Sequence, residues 1–161
     1  MDQSSSPDEV YAGVMFKHIL IPTDGSETAL KAVKAGIALA AEIGASVTGY
    51  CAQEPVPTHI HGEGYLTDKK LVAELEKRAS EFARKNVSVV ETEARSAGVP
   101  FKALVTKSAV PYRGIVEAAG EKGCDAIFMA SNGHRGFQKL LLGSVTQEVL
   151  THSKIPVLVF R

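Results

Sequence analysis

The chain has 161 residues, 45% of them hydrophobic and 22% charged, which suits a single domain with a sizeable core. Lys plus Arg and Asp plus Glu each number 18, so no net positive field draws the chain to nucleic acid or anionic lipid, and neither partner is expected. No apolar run approaches the ~18 residues of a spanning helix, and MDQSSSPDEV lacks a basic-then-apolar leader, so a soluble cytoplasmic protein is expected.

Residues 1–14 are rich in Ser and Asp without periodicity and read as a flexible arm ahead of a domain over residues 15–161, with Met15 an alternative start. Phe16 to Pro22 predicts the first strand, with Ile19, Leu20 and Ile21 as its buried stretch and Thr23-Asp24-Gly25-Ser26 as the turn that ends it. Leu30, Val33, Ile37 and Ala40 recur at helical steps up to Gly44, which suits a left-handed cap. Val47 to Ala52 predicts a second strand. Gln53 to Thr67, with Pro55, Pro57, Gly62 and Gly64 around His59 and His61, predicts a mobile loop. A metal at His59 and His61 lacks a third ligand of suitable spacing and is not favoured. Leu71, Leu75, Ala79, Phe82, Val90, Ala94 and Ala97 then keep helical spacing up to Gly98, although Asn86 to Val90 has strand character of its own.

Phe101 to Val105 predicts a third strand, Pro111 to Lys122 a helix opened by proline, and Cys124 to Met129 a fourth strand after the Gly123 stop. Ser144 to His152 predicts the last helix and Ile155 to Phe160 the last strand, with Pro156 at a position an edge tolerates. The alternation of short apolar runs with helical periods implies an α/β fold around a mainly parallel sheet. Cys51 and Cys124 lie in or beside apolar runs without CxxC spacing, which fits buried thiols in a reducing compartment.

Between the fourth strand and the last helix runs Ala130-Ser131-Asn132-Gly133-His134-Arg135-Gly136. Glycines there let backbone N–H groups approach an oxyanion, and Gly143-Ser144 opens a helix whose N-terminus is a second anion-binding element. The plainer reading is a turn followed by a capping box of Ser144 and Gln147. Neither GxxxxGK[ST] nor a GxGxxG after the first strand is present, which excludes those two nucleotide mechanisms.

The spacing Ala130-x2-Gly133-x9-Gly143-Ser144, the opening ILIPTDGSE (Ile19 to Glu27), GCDAIFMAS (Gly123 to Ser131) and the closing Leu140 to Phe160 resemble the universal stress protein family. Its nucleotide-binding members carry G-x2-G-x9-G-[ST] after the fourth strand, so Ala130 stands where that pattern has its first glycine. The resemblance implies a doubly wound, five-stranded parallel sheet of order 3-2-1-4-5 in a three-layer, adenine nucleotide alpha-hydrolase-like α/β/α fold. It also implies a ligand crevice between the ends of strands one and four.

By that resemblance Pro22, Thr23 and Asp24 face the loop Ala130, Ser131, Asn132, Gly133, His134, Arg135 and Gly136, while Gly143, Ser144 and Val145 supply the helix end. Pro22 and Ala52 would line the adenine and ribose end, and Met129 would pack against the base, its plainer reading being core. Asp24 would meet the ribose hydroxyls or Mg²⁺ brought by the nucleotide, its plainer reading being a helix cap ahead of Glu27. Arg135 and His134 would reach the phosphates, with solvated surface as the competing reading for them and for Lys139. The implied cofactor is ATP, or AMP or another adenine nucleotide, with Mg²⁺. The implied role is a stress-response switch with an unidentified regulatory protein partner and Gln53 to Thr67 as its moving part. A homodimer through the edge strand Ile155 to Phe160 is also implied. A nucleotide-independent interaction module is the alternative. A slow ATPase would have only His134, Asp24 and Ser144 to work with.

Overall fold

The computed structural model describes residues 16–57, 59–60, 64–65, 68–133 and 142–161. Five strands, β1 (His18–Pro22), β2 (Ser46–Gln53), β5 (Phe101–Lys107), β6 (Ala126–Ala130) and β7 (Val157–Phe160), form one sheet in the order β5-β2-β1-β6-β7. Every adjacent pair in it is parallel. Counted along the chain without the two short strands described below, this is the order 3-2-1-4-5, wound outward from β1 in both directions. Ile19, Leu20, Ile21 and Ile127 are fully buried because helices cover both faces of these central strands. Each such side chain contributes on the order of 2 kcal/mol by leaving water.

Helices α1 (Glu27–Ile43) and α2 (Lys69–Ser96) cover one face through Ala32, Val33, Ile37, Val90 and Ala94. Helices α3 (Pro111–Glu121) and α4 (Ser144–His152) cover the other through Ile115, Ala118, Ala119 and Val149. Gly36 lets α1 lie close to the sheet, since a Cβ there would stand 2.8 Å from Ile21 Cδ1 and 2.9 Å from Phe128 Cδ1. Gly44 ends α1 in the left-handed region at φ 70°, as its position predicted.

The structure corrects several boundaries. Phe16 lies outside β1, β5 extends to Lys107 because its pairing with β2 continues to Gln53, and β6 is shifted to Ala126–Ala130. Pro156 precedes β7, where its carbonyl accepts from Ile127 N at 2.9 Å and its missing donor costs nothing. Within the expected loop Gln53 to Thr67, β3 (His59–Ile60) pairs antiparallel with β4 (Gly64–Tyr65). Asn86 to Val90 is helical, because Ala83, Asn86, Val87, Val90 and Ala94 form the stripe that α2 buries. Leu71 and Phe82, expected in that stripe, are 45% and 58% exposed.

Candidate functional site

The turn after β1 is built by side chains bonding to the backbone. Thr23 N donates to Tyr50 O at 2.9 Å, which carries the β1–β2 ladder one residue past the strand. Gly25 N then donates to Thr23 Oγ1 at 3.2 Å, and Ser26 N to Asp24 Oδ1 at 2.9 Å. Gly25 turns the chain at φ 78°, a conformation that costs other residues strain. The N-cap of α1 is therefore Ser26, whose Oγ accepts from Ala29 N at 3.2 Å. The capping alternative for Asp24 is thereby overturned: its carboxylate closes a turn two residues ahead of the helix.

Below that turn lies Asn86 of α2, which the sequence reading did not single out as functional. A Cβ on Gly25 would stand 2.9 Å from Asn86 Cγ, and Asn86 Nδ2 donates weakly to Cys51 Sγ at 3.9 Å. The signal was available: Asn86 is a polar residue set at an apolar helical position. Burial pushes the Cys51 thiol above its usual range, the Asn86 bond opposes this, and the negative charge of Asp24 adds to it. Cys51 is held as a neutral thiol rather than a nucleophile.

Across the sheet's switch point, β6 runs into the glycine loop. Ser131 N donates to Phe160 O at 2.8 Å, and Ser131 O accepts from Gly143 N at 2.8 Å, which pins both ends of the loop together. Thr146 Oγ1 donates to Ala130 O at 3.0 Å and ties α4 to β6, a role the sequence reading missed. A Cβ on Gly143 would lie 3.2 Å from Asn132 Cα, so the glycine permits this close approach. Gly143 is the N-cap of α4, and among the described residues no side chain closes that end of the helix. The capping box is corrected accordingly: Ser144 is the first helical residue and exposed, and Gln147 Nε2 donates to Leu142 O at 2.9 Å.

Two loops meet here. A Cβ on Gly133 would clash with Asp24 Oδ2 and lie 3.2 Å from Asp24 Cγ. Pro22, Thr23, Asp24, Ser131, Asn132, Gly133, Gly143 and Ser144 thus gather at the carboxyl ends of β1 and β6. Ala52 and Val145 are half-buried against the cluster on the α3/α4 face, where Met129 is 5% exposed and part of the core. Ala130 is extended in β6, and its side chain belongs to the cluster under α1 and α2. His134, Arg135, Gly136 and Lys139 lie outside the described residues, as do the side chains of His59 and His61. Among the described residues no group of three or more His, Cys, Asp or Glu could hold a metal. No described helix is long and apolar enough to cross a membrane.

A family model described as "Universal stress protein family" matches residues 15–161. Universal stress protein MJ0531 of Methanocaldococcus jannaschii is 34% identical over 148 residues, spanning 91% of this chain and 83% of its own. Universal stress protein MJ0577 of the same organism is 33% identical over 168 residues, covering 92% and 96%. The solved structure of MJ0577 superposes with a TM-score of 0.76 at 30% identity, covering 91% of this chain and 96% of that one. A universal stress protein solved in complex with cAMP has a TM-score of 0.64 at 22% identity, covering 91% and 98%.

Proposed function

The chain belongs to the universal stress protein family, and on that premise we propose that it binds an adenine nucleotide, ATP foremost, in the crevice between the β1 turn and the β6 loop. The observation that carries the reading is the meeting of Asp24 with Gly133 at the switch point of the sheet, beside the N-terminus of α4, which no side chain among the described residues caps. The nucleotide fits these residues. The loop supplies backbone without side chains at Gly133 and Gly143, and the helix end supplies N–H groups that have no partner within the helix. The Ala130 methyl is packed into the core rather than the loop, so this departure from the family's glycine pattern does not narrow the crevice. The cAMP complex of a relative with the same fold supports the choice of an adenine nucleotide.

In this reading the Asp24 carboxylate accepts from the ribose hydroxyls, Pro22 and Ala52 flank the nucleoside, and Met129 backs the base. The loop from Ala130 to Gly136 and the residues Gly143, Ser144 and Val145 hold the phosphates, with Ser144 Oγ donating. Mg²⁺ arrives with the phosphates, which provide most of its ligands, and Asp24 is the carboxylate at hand for it. Binding biases the segment Gln53 to Thr67 and thereby a regulatory protein partner, which makes the chain a nucleotide-dependent stress-response switch. The protein works in the cytoplasm, with Cys51 and Cys124 as free buried thiols. It forms a homodimer through β7, the sheet's edge.

Calorimetric titration with MgATP tests the central claim: saturable heat is expected, and no heat at millimolar nucleotide overturns it in favour of a nucleotide-independent module. Sedimentation tests the dimer, since a Val159→Lys chain that stays dimeric refutes this interface.

A further inference from the structure

Gly133 needs an explanation that backbone conformation does not supply. The described glycines with positive φ are Gly25, Gly44, Gly98 and Gly123, so the φ of Gly133 is one that other residues adopt freely. What excludes a side chain is one atom group on the far side of the crevice. The Cβ of an alanine at 133 would clash with Asp24 Oδ2, with Asp24 Cγ at 3.2 Å and Oδ1 at 3.8 Å.

We propose that Gly133 is a positioning residue for Asp24: the space left by its missing side chain is the socket in which the Asp24 carboxylate stands. Asp24 has little room to yield. Its backbone follows directly on Thr23, which is tied to Tyr50 O, and its Oδ1 accepts from Ser26 N at 2.9 Å. A methyl at 133 drives the carboxylate out of the socket and breaks the Ser26 bond, so the acidic group leaves the crevice. The glycine in this half of the site thus serves the acidic residue of the other half. A consequence for the ligand rests on the nucleotide reading above: residue 133 sets the position of the group that meets the ribose, not only the space open to phosphate.

The test is a double-mutant cycle on the full chain with Gly133→Ala, Asp24→Ala and the pair, read by thermal unfolding without ligand and by calorimetry with MgATP. With Asp24 present, Gly133→Ala lowers Tm by about 3 °C, the loss of one charge-assisted hydrogen bond in a chain of this size. It also weakens MgATP roughly tenfold and shifts the Asp24 carboxyl carbon resonance. With Asp24→Ala as background, the same change moves Tm by less than about 1 °C and the affinity by less than about twofold, because the clash is gone. Equal costs in both backgrounds overturn the proposal. If Gly133→Ala alone fails to fold, folding of the double variant supports it and failure of the double variant overturns it. A wild-type chain that binds no MgATP sinks the nucleotide reading and leaves the unfolding cycle to decide the pairing.

Discussion

The two ends of the sheet use their polar groups in opposite ways. At the amino end, Asp125 accepts from Lys17 N at 2.8 Å and His18 N at 3.1 Å, and its own N–H donates to His18 O at 2.9 Å. His18 Nε2 shares a 2.8 Å hydrogen bond with the hydroxyl of Thr48, which is fully buried. Donors and acceptors there are spent on one another. At the carboxyl end, the helix that follows β6 is uncapped among the described residues, glycines hold side chains back at 133 and 143, and Ser144 is exposed. The amino end is arranged for stability, and the carboxyl end is where the proposed nucleotide would be held.

Breaking the amino end should therefore cost folding and leave binding alone. Asp125→Ala removes acceptors from two backbone donors and is expected to destabilise the chain by about 3 kcal/mol, measured by urea unfolding, with MgATP affinity within about twofold of wild type. A change in affinity as large as the change in stability would erase the distinction between the ends. Alkaline pH probes the same region. Burial pushes the Cys124 thiol up from 9.0 to about 11, the nearby Asp125 charge adds to this, and a hydrogen bond with Thr48 opposes it. The folded state then holds its proton where the unfolded chain releases it. Its contribution is whole below pH 9.0 and is lost between pH 9.0 and about 11, on the order of 2 kcal/mol after allowance for screening. The raised Cys51 and Tyr50 groups act in the same direction. Cys124→Ala should flatten the fall in urea-unfolding free energy across that window, and an unchanged slope would refute the assignment.

How far each end was legible in the sequence follows from how local its causes are. Buried runs such as Ile19 to Ile21 and the stops at Gly44, Gly98 and Gly123 are written in consecutive residues, and the strands and helix ends they predicted are present. Strand limits were less legible, because Lys107 is in β5 only through its partner Gln53 on β2. The order of the strands came with the family resemblance rather than with any periodicity. In the site, the glycine loop and the acidic turn were readable separately, each as a short motif. Their fit was not, since nothing near Gly133 in sequence indicates that Asp24 fills the place of its side chain. Ser26 displaced Asp24 as the cap for a similar reason: the positive φ of Gly25 delays the helix by two residues. Thr146 and Asn86 escaped notice because their partners, Ala130 O and Cys51 Sγ, lie on other elements.

The mildest change sharpens the comparison furthest. Ser144 is exposed at the first turn of α4, and among the described residues its side chain takes no part in closing the helix. Ser144→Ala should then alter unfolding free energy by less than about 0.5 kcal/mol, since surface changes away from caps and buried polar groups fall in that range. If its hydroxyl donates to a phosphate, the same change removes one hydrogen bond of about 1 kcal/mol and weakens MgATP about fivefold. Adenosine, which has no phosphate, should bind both proteins alike. Calorimetry with the two ligands separates the cases: a loss confined to ATP assigns Ser144 to the phosphate end, and an equal loss for adenosine would mean that the hydroxyl acts through the fold of α4. The first outcome makes the carboxyl end the reverse of the amino end, a place where a polar group costs the fold almost nothing and the ligand most of its effect.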